Sequence, residues 1–275
     1  MPIHTWHRMK PQRPVLNRAH GLCRGMVFAS CPGWTYGFTS TALQTDSDDF
    51  TLVRGTWTGA INASPWSTAQ EAGGRGIDNG DGSFNQAPEW IPPASDTRYD
   101  VTRGWSAAVL VRPDVLITDA TIPLFKRRDQ PYGATEEGWH FSGAASNFWR
   151  VAICDGASEA SATGTTAMAL TRADLLVATY DRANLRLYVN GTLEKTTATT
   201  IAVAATSGLP IKFLGLGTSA AGSPSWPGLV SMGAVWKRAL TEGEAGALYR
   251  DPFTMWRNEL GDEAAVDYQT FLAAF

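Results

Sequence analysis

Apolar and polar residues alternate in the stretch LLVATYDRANLRLYVNGTLEKT, residues 175–196. Apolar side chains recur at every second position in 176–180 and again in 185–189, on either side of the polar loop DRAN. A period of two predicts half-buried β-strands, with one face in the core and the other in water. Asn190-Gly191 favours a type I′ turn, so we expect three strands to follow one another as a meander.

Short apolar runs separated by turn residues recur along most of the chain. They occupy residues 26–31, 105–113, 121–128, 138–143, 148–156, 165–170, 210–217 and 228–240. This spacing indicates a β-sandwich rather than alternating strand–helix units. Residues 43–104 are rich in Gly, Ser, Pro and Trp, and we expect long loops with short strands there.

One helix is predicted near the C-terminus, in the segment LTEGEAGALYRDP. Thr241 and Glu244 have the spacing of a capping box, in which the two side chains satisfy backbone N–H groups at the helix start. Asp251-Pro252 is expected to end the helix.

Composition excludes several classes of protein. Hydrophobic residues make up 44% of the chain and charged residues 18%, which is typical of a folded domain rather than a disordered one. The net charge of -3 gives no overall attraction to nucleic acid or to an anionic membrane, and no apolar run reaches the ~18 residues of a membrane span. Cys23, Cys31 and Cys154 form an odd set, which favours reduced thiols over a disulfide framework. The opening segment has no apolar core, so we expect no secretory signal.

The C-terminal half resembles a known family. The phrases LLVATYDRANLRLYVNGTL, IKFLGLG and WPGLVSMGAVWKRALTEGEAGALYRDP are similar, in this order, to strands of laminin-G-like domains, a branch of the concanavalin A-like jelly rolls. Together with GRGIDNGDGSFNQAP and WSAAVLVRPD, the resemblance covers roughly residues 73–256. It implies an all-β fold, a two-sheet antiparallel jelly-roll sandwich with one short C-terminal helix.

Two further phrases resemble tailed-phage virion proteins that carry such domains. They are NRAHGLCRGMVFASCPG, residues 17–33, and ALYRDPFTMW, residues 247–256. The resemblance implies a virion protein that is assembled in the host cytoplasm.

The two ends of the chain carry opposite charge. We expect a basic arm over residues 1–19, the jelly roll over 20–256 and an acidic tail over 257–275. The ends are either solvated tails or docking segments for partners. The candidate partner-binding residues are Arg8, Lys10, Arg13 and Arg18 in the arm and Glu259, Asp262 and Glu263 in the tail.

No catalytic motif is found. Retaining glycosidases of this superfamily use an E-x-D-x-x-E strand, and no Glu of this chain is followed two residues later by Asp. The chain is therefore expected not to be an enzyme and to need no cofactor. The best metal candidate is the loop DNGDG, in which Asp78, Asn79 and Asp81 offer the oxygen ligands that calcium prefers, although the same residues also form ordinary turns.

The tryptophans divide into two groups. Trp105, Trp149 and Trp236 lie in strand patterns and are expected in the core. A second group lies in Gly-, Pro- and Ser-rich segments predicted as loops, namely Trp34, Trp57, Trp66, Trp90 and Trp226. Loop aromatics either stack on sugar rings or anchor subunit interfaces, and the sequence does not separate the two roles.

Two functions follow as hypotheses. The first is a non-enzymatic head-decoration or tail-associated protein of a tailed-phage virion. Its arm and tail would contact a major capsid or tail protein, and it would form a homo-oligomer, with a trimer favoured. The alternative is a carbohydrate-binding module on a phage fibre or bacterial surface, with a host-surface glycan as its ligand. A hydrolase with an unrecognised site is a third reading, which no pair of carboxylates in the sequence supports.

Overall fold

The computed structural model describes the backbone of a defined set of residues. These are 14–17, 19–30, 56–58, 70–71, 74–75, 77–78, 89–91, 104–114, 116, 124–127, 137–144, 147–170, 172–201, 211–213 and 228–258. Side chains are described for most of these residues from 104 onward and for residues 17 and 19–29.

The described chain consists almost entirely of strands. They are β1 Pro14–Leu16, β2 Met26–Ser30, β3 Thr56–Thr58, β4 Gln70–Glu71, β5 Gly74–Arg75, β6 Ile77–Asp78, β7 Glu89–Ile91, β8 Trp105–Pro113, β9 Leu124–Arg127, β10 Glu137–Ala144, β11 Phe148–Asp155, β12 Glu159–Ala167, β13 Asp174–Tyr180, β14 Asn184–Val189, β15 Thr192–Ala198, β16 Ile211–Phe213, β17 Gly228–Trp236 and β18 Trp256–Asn258. One α-helix, α1, spans Glu242–Arg250, and a short 3-10 turn spans Gly21–Cys23.

Two large antiparallel sheets form the body of the fold. The helix-side sheet has the order β15-β14-β13-β8-β17-β2, with β6 also paired to β17. The opposite sheet has the order β12-β11-β10-β9-β16-β7-β3. The prediction of an all-β antiparallel sandwich with one short C-terminal helix is confirmed.

The inner core lies between the two sheets. Alternate residues of facing strands contribute to it, because successive side chains of a strand point to opposite faces. Trp105 of β8 and Trp139 of β10 stack across the sandwich, with ring centroids 5.0 Å apart. Trp105 and Trp149 are fully buried here, as the sequence predicts, and Trp236 is fully buried on the other face of the helix-side sheet.

A second core covers the outer face of the helix-side sheet. Leu175 and Val177 of β13 pack there with Leu248 of α1 and with Phe253 and Met255 beyond the helix. Every residue of β13 is therefore buried. The expectation that one face of this strand meets water is wrong, because the helix and the segment after it exclude water from that face.

The helix begins and ends where the sequence predicts. Thr241 is the N-cap, its hydroxyl accepts from the backbone N–H of Glu244, and the Glu244 carboxylate accepts from the backbone N–H of Thr241 at 2.8 Å. Asp251 is the C-cap, and Pro252 follows it. Arg238 donates two hydrogen bonds to Glu244, at 2.9 and 2.6 Å, and so joins the helix start to the end of β17.

The predicted meander of β13, β14 and β15 is confirmed. Asn190 and Gly191 connect β14 to β15 with φ values of 52° and 78°, as a type I′ turn requires. A Cβ added at Gly191 would lie 2.8 Å from the Cβ of Tyr249, so the turn packs directly against α1. The Asn190 side chain bonds to Asp174 and Leu175, which favours the turn over the glycosylation sequon that the same residues spell.

Both ends of the described chain are joined by a small ladder. β1 pairs antiparallel with β18, with Pro14 opposite Asn258. The backbone N–H of Asn17 donates to Met255 O at 2.7 Å, and Trp236 Nε1 donates to Leu22 O at 2.6 Å. The segment that leads into β2 is therefore held against the C-terminal segment and β17.

Candidate functional site

The predicted partner-binding residues of the arm and the tail lie outside the described residues. They are Arg8, Lys10, Arg13, Arg18, Glu259, Asp262 and Glu263. The structure nevertheless describes the two strands beside most of them. Because Pro14 is the Cα partner of Asn258, the chain enters β1 and leaves β18 at the same end of one ladder. The points at which the basic and acidic segments join the fold are thus neighbours, a result that the sequence does not predict.

The loop tryptophans are placed in part. Trp57 and Trp90 lie in β3 and β7 rather than in loops, where they are Cα partners, and Trp90 is also the partner of Ile211. The assignment of these two residues to loops is wrong, because the segments around them pair as three-residue strands of the opposite sheet. Trp34, Trp66 and Trp226 lie outside the described residues.

The calcium candidate is described at one residue. Asp78 ends β6, where it is the Cα partner of Leu229, whereas Asn79 and Asp81 lie outside the described residues. Within the described ranges, no group of three or more His, Cys, Asp or Glu side chains is arranged to hold a metal ion. In the same part of the chain, no helix is long and apolar enough to cross a membrane.

The accessible polar surface of the opposite sheet is the best-defined candidate site. The odd-numbered residues of β11 from 149 to 153 are buried in the inner core, so Phe148 and Arg150 face outward. The register places Thr163 of β12 beside Arg150, and Ser161 lies in the next outward row. All four outward side chains are only partly buried. We call them, with Glu159, the outer face of the opposite sheet.

An ion pair lies along this face. Arg150 Nη2 donates to Glu159 Oε1, with 22% of the arginine and 25% of the glutamate side chain exposed. Glu159 is opposite Cys154, four residues and about 13 Å along the strand from Arg150. Ala152 lies between them on the same outward row and is fully buried, as expected when the pair crosses over it.

The turn between β11 and β12 fixes the geometry of this face. Asp155 Oδ1 accepts from the backbone N–H groups of Ala157 and Ser158, at 2.9 and 2.7 Å. These two hydrogen bonds hold the pKa of Asp155 below its usual value. The next strand, β10, limits the face on its other side, because His140 and Ser142 are buried. Among the side chains that the structure describes on this sheet, the accessible ones on the outward row therefore belong to β11 and β12.

The sequence contains a weak signal for this face. Arg150 interrupts the apolar pattern of FWRVAICD, and a cation within a buried strand must lie on an exposed row or have a partner. Its partner Glu159 can be recognised only from the pairing of β11 with β12. The sequence pattern places the second of these strands too far towards the C-terminus. The predicted strand 165–170 is wrong in its bounds, since β12 runs from Glu159 to Ala167.

The charged groups Asp174 and Arg172, at the start of β13, have a structural role. Asp174 is fully buried and accepts hydrogen bonds from Trp149 Nε1 at 2.8 Å, Arg172 Nε at 2.6 Å and Asn190 Nδ2 at 2.8 Å. The hydrogen bond to Asp174 also raises the pKa of the Arg172 guanidinium. This carboxylate joins the two sheets, because Trp149 belongs to β11 and Asp174 to β13.

Three solved structures are similar to this chain at low sequence identity. The sialidase CBM40 domain of Ruminococcus gnavus, solved with α2,3-sialyllactose, is 11% identical over 63% of this chain and 96% of its own, with a TM-score of 0.47. The binding domain of Paraclostridial Mosquitocidal Protein 1 is 12% identical over 82% of this chain and 52% of its own, with a TM-score of 0.54. A SAP-like pentraxin from Limulus polyphemus is 13% identical over 60% of this chain and 73% of its own, with a TM-score of 0.43.

The comparison with curated protein sequences gives no match. The comparison with protein families gives a laminin-G-like family, described as the concanavalin A-like lectin/glucanases superfamily, over residues 90–246. That range is more than half of the chain and contains β8 to β17. The chain belongs to the concanavalin A-like lectin/glucanase superfamily.

Proposed function

We propose that this chain is a non-catalytic carbohydrate-binding domain that contacts a glycan through the outer face of the opposite sheet. The observation that carries the proposal is the outward row of Phe148 and Arg150 beside Thr163, Ser161 and Glu159, all partly accessible on two paired strands. The superfamily includes lectins, which supports this class of ligand, although a fold alone does not determine function.

The chemistry of the outer face suits a sugar. A sugar hydroxyl both donates and accepts hydrogen bonds, and here Arg150 offers donors, Glu159 offers acceptors, and Ser161 and Thr163 offer both. The Phe148 ring adds an apolar surface on which the C–H face of a sugar ring can pack. Strands hold such groups more accurately than loops do, so little ordering is needed on binding.

The experiment is a binding titration on an immobilised panel of glycans. The wild type should bind at least one glycan saturably, and Arg150→Ala should bind that glycan at least tenfold more weakly. Arg186→Ala is the matched control, since Arg186 of β14, on the other sheet, forms a comparable ion pair with Asp181 of the preceding hairpin loop, with 27% and 32% of the two side chains exposed. Absence of binding across the panel, or equal loss in both variants, would refute the proposal.

A second candidate function is attachment to a virion through the terminal segments. It is supported by the resemblance of residues 17–33 and 247–256 to tailed-phage virion proteins. It is also supported by the β1–β18 ladder, which brings together the points where the basic and acidic segments join the fold. In that case the domain would sit on a capsid or tail protein, as a homo-oligomer. Deleting residues 1–13, which leaves β1 intact, should abolish copurification with particles; unchanged copurification would contradict this role.

A further inference from the structure

A bulge in β12 turns backbone N–H groups away from the strand ladder. Arg150 pairs with Thr163 but Phe148 pairs with Ala167, so residues 164–166 of β12 lie opposite one residue of β11. Such a bulge leaves N–H groups without partners in the ladder. The N–H groups of Thr165 and Thr166 instead point to a single oxygen, Glu194 Oε2, at 2.7 and 3.0 Å.

A hydroxyl completes the set of donors. Thr166 Oγ1 donates to the other carboxylate oxygen, Glu194 Oε1. Two backbone N–H groups and one hydroxyl therefore converge on one carboxylate, which is the arrangement by which backbone concavities bind anions. We call Thr165 N, Thr166 N and Thr166 Oγ1 the anion cradle.

The residue before the cradle leaves room for the anion. A Cβ added at Gly164 would overlap Glu194 Oε2, so any residue other than glycine would displace the carboxylate. Thr165 is exposed and Glu194 is only partly buried, so a small solute can reach the cradle from solvent.

The anion that fills the cradle comes from the other sheet. Glu194 lies on β15, the edge strand of the helix-side sheet, whereas the cradle lies on β12, the edge strand of the opposite sheet. The hydroxyl of Thr197, three residues further along β15, donates to Ser161 O of β12 at 2.8 Å. The carboxylate thus closes the sandwich at this edge by occupying an anion site.

We propose that the anion cradle is a binding site for a monocarboxylate and that Glu194 is its built-in occupant. When Glu194 is replaced by alanine, a small carboxylate such as acetate takes its place and restores the closure of this edge. The site is separate from the outer face of the opposite sheet in its donors and in its ligand, and it does not depend on carbohydrate binding.

The test is thermal unfolding of the full chain with Glu194→Ala, titrated with sodium acetate against acetamide at constant ionic strength. Acetate at about ten times its Kd should raise the Tm of the variant by about 3 °C, with saturation, and acetamide should not. The wild type should respond to neither solute. If Glu194→Ala is unfolded without acetate, acetate should restore its native circular dichroism.

Two variants serve as controls. Glu194→Gln keeps the side chain in the cradle, so it should fold and show no gain from acetate. Glu159→Ala removes a carboxylate that is held by the side chains of Arg150 and Cys154 and not by backbone N–H groups, and it should gain nothing specific from acetate. The proposal is overturned if acetate has no specific effect on Glu194→Ala, or if it raises the Tm of the wild type or of Glu159→Ala by the same amount.

Discussion

Replacing Asp174 by alanine should destabilise the protein severely. The Asp174 carboxylate is fully buried and accepts from Trp149, Arg172 and Asn190, at distances of 2.6 to 2.8 Å. Alanine removes the acceptor for all three donors at once and leaves the guanidinium without its buried partner. The Arg172 side chain is 35% exposed and can be resolvated, but the Trp149 and Asn190 donors each lose a hydrogen bond to a charged group, which contributes about 1.5–3 kcal/mol. The loss should therefore reach about 3–6 kcal/mol, a large part of the about 5–15 kcal/mol that stabilises a typical domain.

A second variant removes one of these hydrogen bonds. Trp149→Phe keeps an aromatic ring in the inner core but deletes the indole N–H that donates to Asp174. A hydrogen bond to a charged group contributes about 1.5–3 kcal/mol, and the smaller ring adds a cavity cost because Trp149 is fully buried, so the bond is measured by its coupling to Asp174→Ala rather than by the single loss. Because the two residues share one bond, the double variant should lose less than the sum of the two single losses.

Urea unfolding followed by tryptophan fluorescence and circular dichroism measures these free energies. Asp181→Ala is the matched control, since Asp181 also accepts from two N–H groups and an arginine but lies in an exposed hairpin loop, with 32% of its side chain accessible. The Asp181→Ala variant should lose less than about 1 kcal/mol of unfolding free energy. If Asp174→Ala loses no more unfolding free energy than Asp181→Ala at an unchanged m-value, the Asp174 carboxylate does not join the two sheets as described.

Two further predictions concern the helix. Gly191→Ala should lower the free energy of unfolding by about 2 kcal/mol, because φ is positive there and the new Cβ would overlap Tyr249. Gly246→Ala, on the open helix surface, should be neutral or stabilising. Equal effects of the two variants in thermal unfolding would contradict the packing of the turn on α1. The hydrogen bond from Arg238 lowers the pKa of Glu244 below its usual 4.5. The contribution of Glu244 to stability is therefore fully present above pH 4.5, and it is lost as the pH falls through the lowered pKa. Glu244→Gln should therefore lose less stability than the wild type on acidification below pH 4.5, and identical urea midpoints across that range would contradict the assignment.

Local patterns are sufficient to predict the strands and the helix. β8 begins at Trp105 and ends at Pro113, the same bounds that its apolar run predicts. Thr241 and Glu244 form the predicted capping box because the interaction spans only three residues. Asn190-Gly191 forms the predicted turn for the same reason, since two positive φ values are a local requirement.

Burial on both faces of the helix-side sheet is not predictable from such patterns. Alternation in β13 distinguishes two faces, but it does not show that distant residues cover the second one. That cover comes from Leu22 near the start of the chain and from Leu248 and Phe253 near its end. The pairing of Trp57 with Trp90 is equally non-local, and three-residue strands give too short a pattern to reveal it.

The candidate site is also a product of the register. Arg150 and Glu159 belong to adjacent strands, and they meet because β11 and β12 pair as a hairpin beyond the Asp155 turn. The anion cradle requires, in addition, a bulge that no residue type in the sequence demands. Sequence reasoning therefore predicts the scaffold well and the outward arrangement of charged groups poorly.

The most direct test of carbohydrate binding is hydrogen–deuterium exchange of the full chain with and without the glycan that binds best. Slower exchange confined to peptides from β11, β12 and their turn is the result expected for binding at the outer face of the opposite sheet. Protection that appears instead in the segments with Trp34, Trp66 or Trp226, with β11 and β12 unchanged, would contradict it and would move the binding site to those tryptophans.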